Sequence, residues 1–159
     1  MILSAQTIRQ RITNSFPHGD LMIVPFYERR VYQGMSYGLS ACGYDIRIKD
    51  EVAVPPHGFV LAVSVEYLSL PHDLRATLAD KSTWARRGIA VQNTRFEPGW
   101  RGYPTIEISN HGDGQVVIPA GAPIGQMEFA KLDQPTELPY SGKYQDQPQV
   151  PVGAIEEKL

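Results

Sequence analysis

Residues 80–110 read DKSTWARRGIAVQNTRFEPGWRGYPTIEISN, and the period of the closing stretch, Tyr103 to Asn110, decides the fold. There Thr105, Glu107 and Ser109 alternate with Ile106 and Ile108. A period of two is that of a strand with one apolar and one polar face, which puts Glu107 on the polar face. Just upstream, Glu97-Pro98-Gly99-Trp100 reads as a turn, because Pro presets φ and Gly tolerates positive φ. Ile89-Ala90-Val91 is an apolar run suited to a buried strand. Before it, Lys81, Ser82, Thr83, Arg86 and Arg87 form a polar, basic cluster closed by Gly88.

Working outward, short strands and turns recur. Ser4 is placed as an N-cap, and Ile8 and Ile12 share one face of a short N-terminal helix across SAQTIRQRI. Leu21 to Val24 is a brief strand stopped by Pro25, and Phe26 to Gly34, basic around Arg29 and Arg30, reads as a solvated loop. Gly43 to Ile48 alternates and is expected as a strand; Asp45 on it is either a structural hydrogen-bond acceptor or part of the frame of a site. Val52 to Leu70 holds two strand-like runs broken by Pro55-Pro56-His57-Gly58, one of them the apolar run Phe59 to Val63. Val116 to Ile118 and Ile124 to Phe129 flank another Pro- and Gly-rich turn. From Asp133 onward Pro and Gln dominate and apolar periodicity disappears, so residues 134–159 are expected as an extended tail following one domain of residues 1–133. This pattern predicts an all-β barrel or sandwich with a minor helix.

Composition narrows the function. A chain of 159 residues can bury a real core without staples. A formal net charge of −2 makes no case for nucleic acid, which calls for a strongly basic face. The single cysteine, Cys42, excludes an internal disulfide framework and fits a reducing cytoplasm. The chain opens on no secretory pattern and carries no apolar run of membrane-spanning length, so a soluble, cytoplasmic protein is expected.

Several segments together resemble the dCTP deaminase family, in the superfamily shared with trimeric dUTPases. They are KSTWARRGIAV at 81–91, EPGWRG at 97–102 and TIEISN at 105–110, with MSYGLSACGYD at 35–45 and GKYQDQ at 142–147. The resemblance implies a distorted β-barrel, a homotrimer, and hydrolytic deamination of dCTP to dUTP with Glu107 as the acid–base carboxylate. It implies that Ser82 and Arg86 flank Glu107 and position water or base, while Lys81 faces phosphate. Thr83, Glu97, Thr105, Ile106, Gln126, Tyr140, Lys143 and Gln147 complete the implied nucleotide-binding set, and the tail becomes a lid over the nucleotide. Some positions depart from the family. Asp80 stands where it usually has Gly, the segment from Asp50 to Pro55 is short, and the interval from Tyr140 to Lys143 is compressed. Glu97 stands where dUTPases carry an aspartate, and a branch of dCTP deaminases has Glu-Pro there too.

The chemistry that these residues permit can be stated without the family. Deaminating cytosine needs a base to take a proton from water and an acid to return it to the ring and the leaving amine; one carboxylate can do both. A glutamate on a strand face can be such a shuttle or a solvated surface residue. The zinc route to this reaction uses H-x-E with P-C-x-x-C. That pattern is absent: Cys42 stands alone, and none of His18, His57, His72 and His111 is followed two residues later by Glu. No bound metal is expected, and Mg²⁺ would arrive with a triphosphate. Lys81-Ser82-Thr83 is not a P-loop, since the glycines of that motif are missing from residues 75–80. Two other functions stay open, a dUTP pyrophosphohydrolase (alone or combined with the deaminase) whose water is aligned by Glu97, and a non-catalytic nucleotide-binding regulator.

Overall fold

The computed structural model describes residues 1–13, 22–92 and 94–157; His18 and Leu21 fall outside the described residues. The chain opens with helix α1 (Ala5–Thr13), then runs through β1 (Ile23–Val24), β2 (Arg30–Tyr32), β3 (Met35–Leu39), β4 (Tyr44–Arg47), β5 (Val52–Val54), β6 (Phe59–Val63), β7 (Tyr67–Ser69) and β8 (Leu74–Asp80). A four-residue helix, α2 (Ser82–Ala85), leads into β9 (Ile89–Val91), β10 (Arg95–Phe96), β11 (Arg101–Gly102), β12 (Thr105–Asn110), β13 (Val116–Ile118) and β14 (Pro123–Lys131).

These strands form separate antiparallel sheets. The largest has the order β10-β8-β14-β4-β3-β2, a second has β6-β12-β9, a third has β1-β7-β11, and β13 pairs with β5. The expected distorted barrel is therefore corrected to a mainly-β fold of several open sheets with two short helices. A barrel needs a ladder that runs round and meets itself. Here the six-stranded ladder ends at β10, two residues long, and at β2, three residues long. Strands this short, interrupted by Pro and Gly, hand the chain from sheet to sheet before any sheet can curl closed.

The core forms where the inward faces of these sheets meet. Tyr44 and Ile46 on β4, Leu78 on β8, Ile106 and Ile108 on β12, and Met127 and Phe129 on β14 are all fully buried. β12 carries Glu107. It pairs with β6 from Thr105↔Val63 to Ser109↔Phe59 and with β9 through Ile108↔Val91 and Ser109↔Ala90. Held on both edges, it turns Ile106 and Ile108 inward and leaves Glu107 and Ser109 half-exposed.

Two stretches differ from the sequence reading. Arg30–Tyr32, expected as loop, pairs with β3 from Arg30↔Tyr37 to Tyr32↔Met35. The hairpin closes through Gln33 (φ 46°) and Gly34 (φ 80°), the two-residue turn with positive φ at both central positions that suits strand twist. Between Val52 and Leu70 there are three strands, because the chain kinks at Ser64–Glu66. The Ser64 hydroxyl donates to the Glu66 carbonyl at 2.7 Å. The buried Glu66 carboxylate accepts from the Arg47 amide and from Arg47 Nε, each at 2.8 Å. Burial pushes the Glu66 carboxyl up from its ordinary range, and these Arg47 contacts oppose the shift.

Beyond Lys131 the described residues contain no further strand or helix. Among the described residues no helix is long and apolar enough to cross a membrane. Opposite faces of β12 should respond differently to truncation. Ile108→Ala is expected to cost about 2–5 kcal/mol and Ser109→Ala to stay within about 0.5 kcal/mol of wild type, measured by urea unfolding.

Candidate active site

A cavity of about 550 Å³ opens over the outward face of β6 and β12 and is bounded by β10, the turn Glu97–Trp100 and the tail. Pairing brings Leu61 opposite Glu107 and Phe59 opposite Ser109, so the wall beside the carboxylate is apolar. Glu107 Oε2 accepts a hydrogen bond of 2.9 Å from the Thr94 hydroxyl, and the Glu107 carbonyl accepts from the Gln92 amide at 3.0 Å. Phe96 and Trp100 meet edge to face at 4.8 Å, and both line the cavity.

The tail is tied into this cavity through the turn. Trp100 Nε1 donates to the Tyr144 carbonyl at 2.8 Å, Gln145 Nε2 to the Gly99 carbonyl at 2.9 Å, and the Tyr140 amide to the Pro98 carbonyl at 2.8 Å. Gln147 Oε1 accepts from the amide and the hydroxyl of Thr105, at 3.3 and 3.2 Å. That hydroxyl oxygen also accepts from the Val152 amide at 3.0 Å, which lays residues 152–154 along the cavity. Gly102 has a φ of 142°, and a Cβ there would meet the Gln147 nitrogen at 2.6 Å, so only glycine admits the tail at this distance.

A second polar constellation lies in the six-stranded sheet. The buried Lys81 ammonium donates to Asp45 Oδ2 at 2.8 Å, and Gln126 Nε2 donates to Asp45 Oδ1 at 3.2 Å and to the Ser40 hydroxyl at 3.0 Å. Ser36 donates to Asp45 Oδ2 at 3.4 Å. Cross-strand pairing of Gln126 with Asp45 builds the cluster, and Asp45 is the acceptor at its centre. Asp80, next to Lys81, turns the other way: its Oδ1 accepts from the Val91 amide at 2.8 Å and fastens β8 to β9.

The structure thus divides the residues expected in one site. Glu97, Thr105, Glu107, Tyr140 and Gln147 line the cavity together. Lys81, Ser82, Thr83, Arg86, Gln126 and Lys143 do not. Ser82 and Arg86 are exposed on and just after α2, and Lys143 is exposed with its ammonium 5.5 Å from the Tyr144 ring centre. The Ile106 side chain points into the core. Sequence reasoning missed Thr94, Phe59 and Leu61 as lining residues. Phe59 and Leu61 were hidden in an apolar run with no visible period, while Thr94 carries no local signal at all. Among the described residues no group of three or more His, Cys, Asp and Glu side chains is arranged to hold a metal ion.

The fold is one shared with dUTPases. EIAV dUTPase superposes with a TM-score of 0.57 at 13% identity, covering 77% of this chain and 98% of the other. The dUTPase of Staphylococcus bacteriophage 80alpha gives 0.57 at 17% identity, with 80% and 96% covered. Residues 44–132 match the dCTP deaminase-like family model, and the chain belongs to that family. Among its relatives, a dCTP deaminase of Campylobacter fetus is 42% identical, with 79% of this chain and 86% of the relative aligned. One from Acidobacterium capsulatum is 38% identical, with 79% and 87% aligned.

The Asp45 cluster has a checkable consequence. Asp45→Ala leaves a buried ammonium without its counter-charge and is expected to cost about 3–5 kcal/mol in chemical unfolding. Adding Lys81→Met should recover part of that loss.

Proposed function

We propose that this protein is a dCTP deaminase, converting dCTP and water to dUTP and ammonia. The observation that carries the reading is Glu107, a carboxylate on the outward face of β12 in a walled cavity, in a chain 42% identical to a dCTP deaminase. The cytosine ring would lie against the apolar side of the cavity with C4 toward Glu107. Glu107 takes a proton from water as the oxygen bonds to C4. Glu107 passes that proton to the ring nitrogen, then takes the remaining proton of the new C4 hydroxyl and delivers it to the amino group, which leaves as ammonia as the C4–N bond breaks and the C4 carbonyl forms. No zinc pattern accompanies these residues in the sequence, and we read the water as activated by the carboxylate. Mg²⁺ would travel with the triphosphate, and the protein would act in the cytoplasm.

Ser82 and Arg86 belong to this reading through a second copy of the chain. Both are exposed and lie outside the Glu107 cavity, which supports a homotrimer in which α2 of one protomer completes its neighbour's site. Arg86 would then meet the nucleotide's polar groups with its planar fork, while Lys81 stays in its buried pair with Asp45. Tyr140, Lys143 and Gln147 would close the tail over the nucleotide. Glu97 in the same cavity supports one further reading, a second activity in which it aligns water for attack on the α-phosphate of dUTP.

Incubation with dCTP and with dUTP, with products resolved, separates these functions. Ammonia and dUTP identify the deaminase, pyrophosphate and dUMP the pyrophosphohydrolase, and binding without product a regulator. Glu107→Gln is expected to keep the fold and nucleotide binding while losing about 10²- to 10⁴-fold in deamination, the usual worth of acid–base help. Turnover within about twofold of wild type would remove Glu107 from the mechanism. Truncation after Asp133 is expected to leave a trimer by light scattering that binds dCTP weakly; full activity would reject the lid.

A further inference from the structure

Glu107 does not project freely into its cavity. Among the described residues its carboxylate has one hydrogen-bond partner, the hydroxyl of Thr94, which donates to Oε2 at 2.9 Å. Thr94 is half-buried and lines the same cavity. Its place there is fixed by its backbone: the Thr94 carbonyl accepts from the Leu78 amide at 3.0 Å, and the Thr94 amide donates to the Gln92 carbonyl at 2.7 Å. The first bond ties it to β8, which also pairs with β10 just after it. Thr94 is therefore held to the six-stranded sheet, and it delivers a hydroxyl to a carboxylate on β12, in another sheet.

The Thr94 hydroxyl has one proton to give. The Gln92 carbonyl is 3.3 Å from Oγ1, so the carboxylate at 2.9 Å is the nearer acceptor, and a charged acceptor makes the stronger bond. A hydrogen bond to Oε2 fixes the plane of the carboxylate and engages one oxygen. The other oxygen is left as the one available to a water. A glutamate side chain has three rotatable bonds, and acid–base transfer requires the correct oxygen within hydrogen-bond reach of the proton it takes. Leu61 and Phe59, which flank Glu107 across β6, offer no polar atom from their side chains to do this.

We propose that Thr94 is a positioning residue for the deamination step, holding Glu107 through Oε2 so that its free oxygen faces the attacking water. The assignment rests on the reading of Glu107 as the acid–base group. Thr94 acts on the geometry of the reacting carboxylate and leaves nucleotide binding to other residues. Its loss should appear in kcat and spare KM, and the serine variant, which keeps the hydroxyl, should restore turnover.

The test compares Thr94→Val, Thr94→Ser and Glu107→Gln in the full-length chain, with dCTP as substrate, ammonia release as the assay and thermal melting as a control. Thr94→Val is isosteric and is expected to lower kcat about 10- to 100-fold, the scale of a misplaced reacting group, with KM within about threefold of wild type. Thr94→Ser is expected to recover most of that loss, with both variants melting near wild type. If Thr94→Val keeps kcat within about threefold while Glu107→Gln is inactive, Thr94 has no positioning role and the reading of Glu107 stands. If Glu107→Gln remains active, the reading of Glu107 falls and Thr94 falls with it. A change confined to KM would make Thr94 a substrate contact, and an equal loss in Val and Ser, or a large drop in melting temperature, would make it a packing residue. Each of these outcomes overturns the proposal.

Discussion

Everything near the candidate site depends on the two-residue period of β12. A strand paired on both edges cannot rotate about its axis, so burying Ile106 and Ile108 forces Glu107 and Thr105 to their own side. Slipping the register by one residue would bury the carboxylate and expose two isoleucines. The apolar core therefore does more than stabilise the sheet. It aims the acid at the cavity, and the Thr94 hydroxyl meets one of its oxygens there.

The second polar cluster shows the opposite strategy. Lys81 is buried, and an ammonium removed from water needs its charge and its protons met within the protein. Asp45, Ser36, Ser40 and Gln126, on or just beside β3, β4 and β14, form a connected group that does this. Asp80 shows how a local charge can be redirected. Beside Lys81 in sequence, it spends its acceptor on a backbone amide of β9 and so acts as a strand fastener. A substitution that looks electrostatically awkward in the sequence is resolved by which way one side chain turns.

The local elements were largely legible. Alternation announced β12, β4 and β14, and Pro-Gly pairs announced the turn at Glu97–Trp100, because these signals are carried by neighbouring residues. What could not be read was how the strands close. The ends of the six-stranded ladder depend on β10 and β2 finding no further partner among the described residues, which no local pattern encodes. β2 was missed because it is only three residues long in a basic stretch and mostly exposed, and its turn residue Gln33 takes positive φ without being Gly or Asn. The candidate site was legible residue by residue where a motif names it, as with Glu107 and Gln147. Thr94 was invisible because its importance comes from a cross-strand meeting, and Ser82 and Arg86 were read as neighbours of a carboxylate that, within this one chain, they do not join.

The contact between Gly102 and Gln147 ties the tail's docking to a position forty-five residues earlier in the chain. Among the described residues the tail has no ladder of its own, and its anchorage consists of side-chain bonds, scattered backbone bonds such as Tyr140 amide to Pro98 carbonyl, and the bridge between Gly102 and Gln147. Anchorage without a ladder is the kind that opens in a local equilibrium, at a smaller free energy than the sheets. A methyl group at residue 102 would act on that equilibrium while leaving the core sheets intact. Sequence drift at this buried strand position would in this way retune how long the cavity stays covered, with no change to any residue that performs chemistry.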